Sequence, residues 1–138
     1  MGEPGARILI VDDDPDIREA MSAVLEAHGY AVVTACDGQE GLARLRETSP
    51  DLMILDLMMP LMDGFSLVKE LGDPRWAKYG NVPILILTSV REDAGRRRYE
   101  LETGLELNVE DYVEKPIDPH SLLSRVETVL KKKQQAPA

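Results

Sequence analysis

Short runs of consecutive apolar residues recur along the chain, and each run is bounded by polar or turn-forming residues. Four runs are clear, at 8–11, 31–33, 52–55 and 84–87, and a weaker fifth lies at 112–113. The runs are continuous rather than alternating, which is typical of strands buried on both faces. The pattern therefore predicts a parallel β-sheet that is covered by helices.

Segments with helical spacing of apolar residues lie between these runs. The first helix is predicted to have Asp14 as its N-cap, Pro15 at its first position and Gly29 at its end. The last helix begins in the same way, at Asp118 and Pro119. The remaining helices are predicted at 39–47, 63–72 and 92–103. Strands and helices thus alternate, which favours a doubly wound α/β sheet with right-handed crossovers.

Ligands of such sheets bind at the carboxyl ends of the strands, so the residues that stand there indicate the chemistry. Asp12 and Asp13 follow the first run, and Asp56 follows the third. We expect these three carboxylates to converge, and their mutual repulsion favours a divalent cation with oxygen ligands, such as Mg²⁺. Thr88 ends the fourth run, and Lys115 follows the fifth. Carboxylate, cation, hydroxyl and ammonium together describe a site that receives a phosphoryl group.

The composition of the chain argues against several kinds of site and partner. The chain has 138 residues, a formal net charge of −9, one cysteine and two histidines. One cysteine excludes an internal disulfide, and so few Cys and His argue against structural zinc. No apolar stretch approaches the roughly 20 residues of a membrane-spanning helix. The negative charge argues against direct nucleic-acid binding. We expect a cytoplasmic domain, in which Cys36 is a small buried side chain.

Four sequence motifs, in this order, resemble the receiver domain of two-component response regulators, including single-domain chemotaxis regulators. They are ILIVDDDP at 8–15, LDLMMP at 55–60 followed by DG at 63–64, PILILTS at 83–89, and DYVEKP at 111–116. The resemblance implies a flavodoxin-like fold, with a five-stranded parallel sheet in the order 2-1-3-4-5 and helices on both faces. It places the receiver domain at 7–133, after a flexible N-terminus at 1–6 and before a tail or truncated linker at 134–138.

The resemblance also implies a role for each matching residue. Asp56 is the expected phospho-acceptor, and Thr88 and Lys115 are expected to contact the phosphoryl oxygens. Mg²⁺ or Mn²⁺ is the expected cofactor. Its expected ligands are Asp12, Asp13, Asp56 and the backbone carbonyl of Met58. Thr88 and Tyr112 form the expected switch, and the apolar side chains of Met58 and Val90 are expected to slow hydrolysis of the phosphoryl group.

A phospho-accepting signalling domain, rather than an enzyme with a substrate of its own, is the function that the resemblance implies. The phosphoryl donor would be a sensor histidine kinase or phosphotransfer protein. The fourth helix, fifth strand and fifth helix would then change shape and bind a downstream protein, with the domain a monomer or a phosphorylation-dependent dimer. No membrane partner is expected.

Two other functions are compatible with parts of the sequence. The acidic pair after the first strand also resembles the start of haloacid-dehalogenase-like phosphohydrolases, but a second acidic pair is missing late in the chain and Asp56 would be unexplained. A receiver-like binding module that is never phosphorylated is the other alternative, against which the full set of polar residues argues. Extra residues at 105–110 depart from the usual receiver pattern, and their role is not readable from the sequence.

Overall fold

A parallel β-sheet forms the centre of the molecule. The computed structural model describes residues 5–56, 64–79, 82–88, 111–114 and 118–135. The strands are β1 Arg7–Val11, β2 Ala31–Ala35, β3 Leu52–Asp56, β4 Ile84–Thr88 and β5 Asp111–Glu114. Each predicted strand is confirmed, and each is longer than its apolar run by one or two residues at an end.

The strand order is β2-β1-β3-β4-β5, and every neighbouring pair is parallel. This order confirms the doubly wound, flavodoxin-like α/β fold. The chain moves outward from β1 to β2 and then returns past β1 to β3, so the order reverses between β1 and β3. The carboxyl ends of these two strands are consequently the place where such folds bind ligands.

Helices cover both faces of the sheet, as predicted. They are α1 Pro15–Ala27, α2 Gly38–Thr48, α3 Gly64–Leu71 and the last helix Pro119–Gln135, with a 3₁₀ helix at Pro74–Tyr79. Successive strand residues alternate between two separate cores. One core lies under α1 and the last helix, and the other lies under α2, α3 and the 3₁₀ helix. This division explains why the strands read as continuous apolar runs, since both faces are buried.

The predicted helix starts are confirmed by their capping contacts. Asp14 has extended backbone and its Oδ1 accepts the N–H of Asp16 at 2.9 Å, with Pro15 at the first helical position. Asp118 Oδ2 accepts both the N–H and the hydroxyl of Ser121 at 2.9 Å. The Ser121 N–H, and then its hydroxyl, lower the pKa of Asp118. Gly29 ends the first helical segment at φ +90°, a conformation that glycine adopts without steric cost.

Described residues near both ends of the chain contact or continue the regular elements. Ala6 is buried, and Gly5 donates its N–H to the Gly29 carbonyl at 3.0 Å. At the other end the last helix includes Gln134 and Gln135. The helix predicted at 92–103 lies outside the described residues, and no described helix is long and apolar enough to cross a membrane.

Gly41 lets α2 pack close to the sheet. A Cβ atom at this position would lie 3.1 Å and 3.2 Å from the two Val11 methyl carbons and 3.3 Å from a Leu67 methyl carbon. We expect Gly41→Ala to lower the free energy of unfolding by about 1 kcal/mol. Overpacking costs about 1–3 kcal/mol, which exceeds the gain of about 0.5–1 kcal/mol from the better helix former.

Urea unfolding measures this effect, and a second background tests its cause. In a Val11→Ala variant the space beside Gly41 is open, so adding Gly41→Ala should no longer destabilise the domain. A Gly41→Ala variant as stable as the parent would show that α2 moves away at no cost.

Tyr30 carries a buried hydroxyl for which the described residues supply no hydrogen-bond partner. The side chain is only 5% exposed and packs in the core beneath α1 and the last helix. Burial, and then the Glu127 carboxylate, raise the pKa of Tyr30 above its ordinary value of 10.0. The folded state therefore holds this proton more tightly than the unfolded chain, so stability is lost as the pH rises above 10.

We expect Tyr30→Phe to raise the free energy of unfolding by about 1 kcal/mol at neutral pH, because an unsatisfied buried hydroxyl is removed. The difference should grow above pH 10, where the parent loses stability through Tyr30 ionisation. Tyr79→Phe is the matched control, since that hydroxyl is 3.5 Å from the Arg46 carbonyl and only half-buried. Its loss should change stability little at any pH. Destabilisation by Tyr30→Phe would contradict the argument.

Candidate metal centre

The carboxyl ends of β1 and β3 meet at one edge of the sheet. Val11 of β1 is paired in register with Leu55 of β3, so Asp12, just after β1, lies beside Asp56, the last residue of β3. Asp12 remains attached to the sheet through its N–H, which donates to the Ala35 carbonyl at 3.1 Å. The topology thus brings together acidic residues that are more than forty positions apart in sequence.

Asp12, Asp13 and Asp56 converge at this edge, as the sequence predicts. Each offers a carboxylate oxygen, and these atoms all lie within 4.8 Å of one another. Asp12 is 0% exposed and Asp56 is 1% exposed, whereas Asp13 faces solvent. Two of the three carboxylates are therefore removed from bulk water and face the third at short range.

Hydrogen bonds of its backbone and side chain hold Asp12 in position. Its N–H reaches the Ala35 carbonyl, its Oδ1 accepts the Asp14 N–H at 2.9 Å, and its own carbonyl accepts Arg18 Nη1 at 2.7 Å. Asp14, in turn, uses its side chain to cap α1. The turn between β1 and α1 is thereby held in a conformation that places Asp12 and Asp13 toward Asp56.

This arrangement fits a hard divalent cation. A buried carboxylate is costly unless it is paired, and neighbouring like charges raise that cost. Oxygen ligands spaced as here match the preference of Mg²⁺, which usually takes one or two carboxylates and keeps several waters. The exposed Asp13 leaves one side of the cluster open to solvent.

The other predicted site residues are described only in part. Thr88 is the last residue of β4, one position beyond Leu87, which pairs with Asp56 in the sheet. Tyr112 lies on β5 and pairs with Ile86. The side chains of Thr88 and Tyr112 are not described. Met58, Val90 and Lys115 lie outside the described residues, as do the extra residues at 105–110.

Cys36 corrects one sequence expectation, because it is exposed rather than buried. It lies just past the end of β2, where its N–H donates to Glu40 Oε1 at 2.9 Å and its thiol lies 3.7 Å from Asp37 Oδ2. Partial desolvation and then the Glu40 and Asp37 carboxylates raise the pKa of the Cys36 thiol, against a lowering by Arg18. Cys36 therefore belongs to the turn before α2 and not to the core. Its place at the end of an apolar run does not show this exposure.

Arg18 is the residue of this region that sequence reasoning passes over. It stands at the fourth position of α1, where a single basic residue is common on a solvent-facing surface. The signal available in the sequence is its spacing, one helical turn after the Asp14 cap. That spacing acquires meaning only when the fold shows which backbone carbonyl the side chain reaches.

Comparison with known proteins gives a consistent family assignment. A family model described as response regulator receiver domain matches residues 8–127. A probable transcriptional regulator, ycf27, of Guillardia theta is 40% identical over 134 residues, which cover 97% of this chain and 49% of that protein. The alkaline phosphatase synthesis transcriptional regulatory protein PhoP of Bacillus subtilis is 36% identical over 130 residues, covering 94% and 50%. The chain therefore spans about half the length of these curated relatives.

Solved structures agree with the fold. The chemotaxis protein CheY4 of Vibrio cholerae has a TM-score of 0.76 and 32% identity, with 91% of this chain and 98% of that chain covered. A putative response regulator from Chloroflexus aurantiacus has a TM-score of 0.77 and 32% identity, with 92% and 98% covered. Both likenesses extend over nearly the whole sheet-and-helix unit described above.

Proposed function

Because the chain belongs to the family of response regulator receiver domains, we propose that Asp56 accepts a phosphoryl group from a phosphohistidine. The donor is a sensor histidine kinase or a phosphotransfer protein. The observation that carries the proposal is the buried Asp56 carboxylate, which lies within 4.8 Å of the Asp12 and Asp13 carboxylates at the strand-order reversal.

Asp12, Asp13 and Asp56 would hold Mg²⁺ or Mn²⁺, with the Met58 backbone carbonyl as a further ligand. When bound, the cation supplies positive charge that offsets the charge on the equatorial phosphoryl oxygens. The role of Asp12 is to anchor the site, since its backbone and Oδ1 are fixed by the contacts described above. Asp13 is solvent-facing, so it would leave room for water and for the incoming phosphate.

In the transfer step an Asp56 carboxylate oxygen attacks phosphorus, forming an O–P bond while the P–N bond to the donor imidazole breaks. The electron pair of that bond stays with the imidazole nitrogen, which takes up a proton from water, and the product is an acyl phosphate on Asp56. Lys115 would pair with one phosphoryl oxygen, and the Thr88 hydroxyl would donate to another. Water later attacks the phosphorus of the acyl phosphate and inorganic phosphate is released, which returns Asp56 to its carboxylate. The apolar side chains of Met58 and Val90 would slow this step because neither orients a water molecule.

We further propose that the phosphoryl group acts as a switch. Thr88 would move toward the new negative charge, and Tyr112 would turn into the space that Thr88 vacates. Thr88 ends β4 and Tyr112 lies on β5, the adjacent strand, so such a movement passes between neighbours in the sheet. The surface of the fourth predicted helix, β5 and the last helix would then change its affinity for a downstream protein.

The wider role follows from the relatives and remains part of the proposal. Several relatives are named as transcriptional regulators, and one of Mycolicibacterium smegmatis is named a DNA-binding response regulator. This chain spans about half of such proteins, and we propose that DNA binding belongs to the part of those proteins that it does not match. We propose that the receiver unit works in the cytoplasm, without membrane or nucleic-acid contacts of its own, and as a monomer or a phosphorylation-dependent dimer.

The test uses the purified protein, Mg²⁺ and a small acyl phosphate donor, with intact mass as the readout. We expect one phosphoryl group per chain, and none when a chelator removes the cation. Sustained hydrolysis of a phosphomonoester would instead favour a haloacid-dehalogenase-like phosphohydrolase. No uptake from the small donor or from any phosphorylated kinase would favour a binding module that is not phosphorylated.

A further inference from the structure

The positively charged guanidinium of Arg18 contacts the backbone of the carboxylate cluster, which consists of Asp12, Asp13 and Asp56. Its Nη1 donates to the Asp12 carbonyl oxygen at 2.7 Å, and its side chain is half-buried. Side chains of an α-helix tilt toward the N-terminus, so Arg18 at the fourth position of α1 extends back over the β1–α1 turn. The guanidinium therefore lies on the same edge of the sheet as Asp12, Asp13 and Asp56.

The field of this guanidinium extends beyond the single hydrogen bond. Arg18 lowers the pKa of the Cys36 thiol, which stands at the end of β2, against the opposing effect of Glu40 and Asp37. Arg18 thus acts across the ends of both β1 and β2.

We propose that Arg18 is a built-in counter-charge that offsets repulsion within the carboxylate cluster and thereby weakens its affinity for the divalent cation. This inference rests on the proposed function, since it concerns the same cation site. In the metal-free domain two of the three clustered carboxylates are buried, so a nearby positive charge stabilises the fold. When Mg²⁺ binds, the same charge repels it. Arg18 therefore keeps binding of the cation reversible.

A purely positional role for Arg18 predicts the opposite change in Mg²⁺ affinity. If the guanidinium mainly held Asp12 in place, its removal would loosen the site and weaken cation binding. Asp12 is, however, also held through the Ala35 carbonyl and through the Asp14 N–H. Because two anchors remain without Arg18, the electrostatic effect should exceed the geometric one. Two unit charges several ångströms apart near a protein surface interact by enough to change an affinity roughly three- to tenfold.

Four variants separate charge from geometry. Arg18→Met removes the charge and the hydrogen bond, Arg18→Gln removes the charge but keeps an N–H donor, and Arg18→Lys keeps the charge. Arg44→Met is the matched control, because it removes the same charge from α2, where Arg44 pairs with Glu47 at 3.0 Å. The Kd for Mg²⁺ is measured by titration calorimetry on metal-free protein at low salt, and again at high salt.

We expect the two neutral Arg18 variants to bind Mg²⁺ roughly three- to tenfold more tightly than the parent. Arg18→Lys and Arg44→Met should stay within about twofold, and the gain should shrink at high salt because exposed charges are screened. Without metal, the neutral Arg18 variants should melt below Arg44→Met, and saturating Mg²⁺ should narrow that gap. A neutral variant that folds only with Mg²⁺ would support the proposal in the same way.

Weaker Mg²⁺ binding by Arg18→Met and Arg18→Gln would overturn the proposal in favour of a positional role. Affinities and melting temperatures equal to those of Arg44→Met would also overturn it, as would a neutral variant that stays unfolded with Mg²⁺ present. A parent protein that neither binds Mg²⁺ nor takes up a phosphoryl group would count against the proposed function. The metal-free melting comparison would still test Arg18 in that case.

Discussion

Asp56→Asn is expected to abolish phosphoryl uptake from a small acyl phosphate in the presence of Mg²⁺, with a rate at least on the order of 10²-fold below that of the parent. The substitution keeps the size and shape of a side chain that is 1% exposed. It replaces the nucleophilic carboxylate oxygen with an amide that does not form a stable acyl phosphate. Time courses of intact mass, taken at matched donor and cation concentrations, measure the two rates.

Asp51→Asn is the matched control for this variant. Asp51 lies just before β3, at the opposite end of the same strand from Asp56, where its Oδ2 accepts the Arg7 N–H at 2.8 Å. The same chemical change there should leave phosphoryl uptake unaltered. If Asp56→Asn takes up a phosphoryl group at the parental rate, on a peptide that does not contain position 56, the assignment of Asp56 as the phospho-acceptor is wrong.

Asp13→Asn is expected to weaken Mg²⁺ binding by roughly tenfold or more, because one carboxylate of a three-carboxylate site becomes neutral. Asp13 is exposed, so the change should leave the fold intact. Titration calorimetry gives the Kd, and phosphoryl uptake at a fixed low Mg²⁺ concentration should fall in parallel. Raising the Mg²⁺ concentration should restore part of the uptake, which distinguishes a lost ligand from a lost nucleophile.

Asp16→Asn controls for the loss of a charge near the site. Asp16 is an exposed residue in the first turn of α1 and is not part of the carboxylate cluster. Removing the charge of Asp16 should lower the Mg²⁺ affinity only slightly, because solvent and salt screen the attraction between this residue and the cation. Equal effects of Asp13→Asn and Asp16→Asn would indicate that the cation responds to overall charge, and that Asp13 is not a ligand.

The strands were predictable because burial on both faces leaves a continuous apolar run, which is a local property of the sequence. Ile8 and Leu9, for example, are adjacent in the chain and enter different cores on opposite faces of the sheet. Helix starts were predictable for a similar reason, since Asp14 with Pro15 and Asp118 with Pro119 carry their capping chemistry locally. The 3₁₀ helix at Pro74–Tyr79 was not apparent, because Trp76 is held there by contacts from other elements.

The contacts of Trp76 come from side chains of other elements, which a local sequence pattern does not contain. The Trp76 indole N–H donates to Glu70 Oε1 at 2.9 Å, and the Arg46 guanidinium lies 4.8 Å from the centre of the Trp76 ring. Glu70 lies on α3 and Arg46 on α2, so the segment is shaped by two helices that precede it. The same limitation applies to Cys36, whose exposure depends on how the β2–α2 turn meets Glu40.

Local patterns predicted the alternation of strands and helices, the acidic residues at the strand ends and the order of the family motifs, because each of these depends on neighbours in the chain. The burial of each carboxylate, the presence of three of them within 4.8 Å and the contact of Arg18 with the Asp12 carbonyl became visible only in the folded protein. These features arise from the pairing of β1 with β3 and the docking of α1. They depend on distances between residues that are remote in sequence, which no local run of apolar or polar residues specifies.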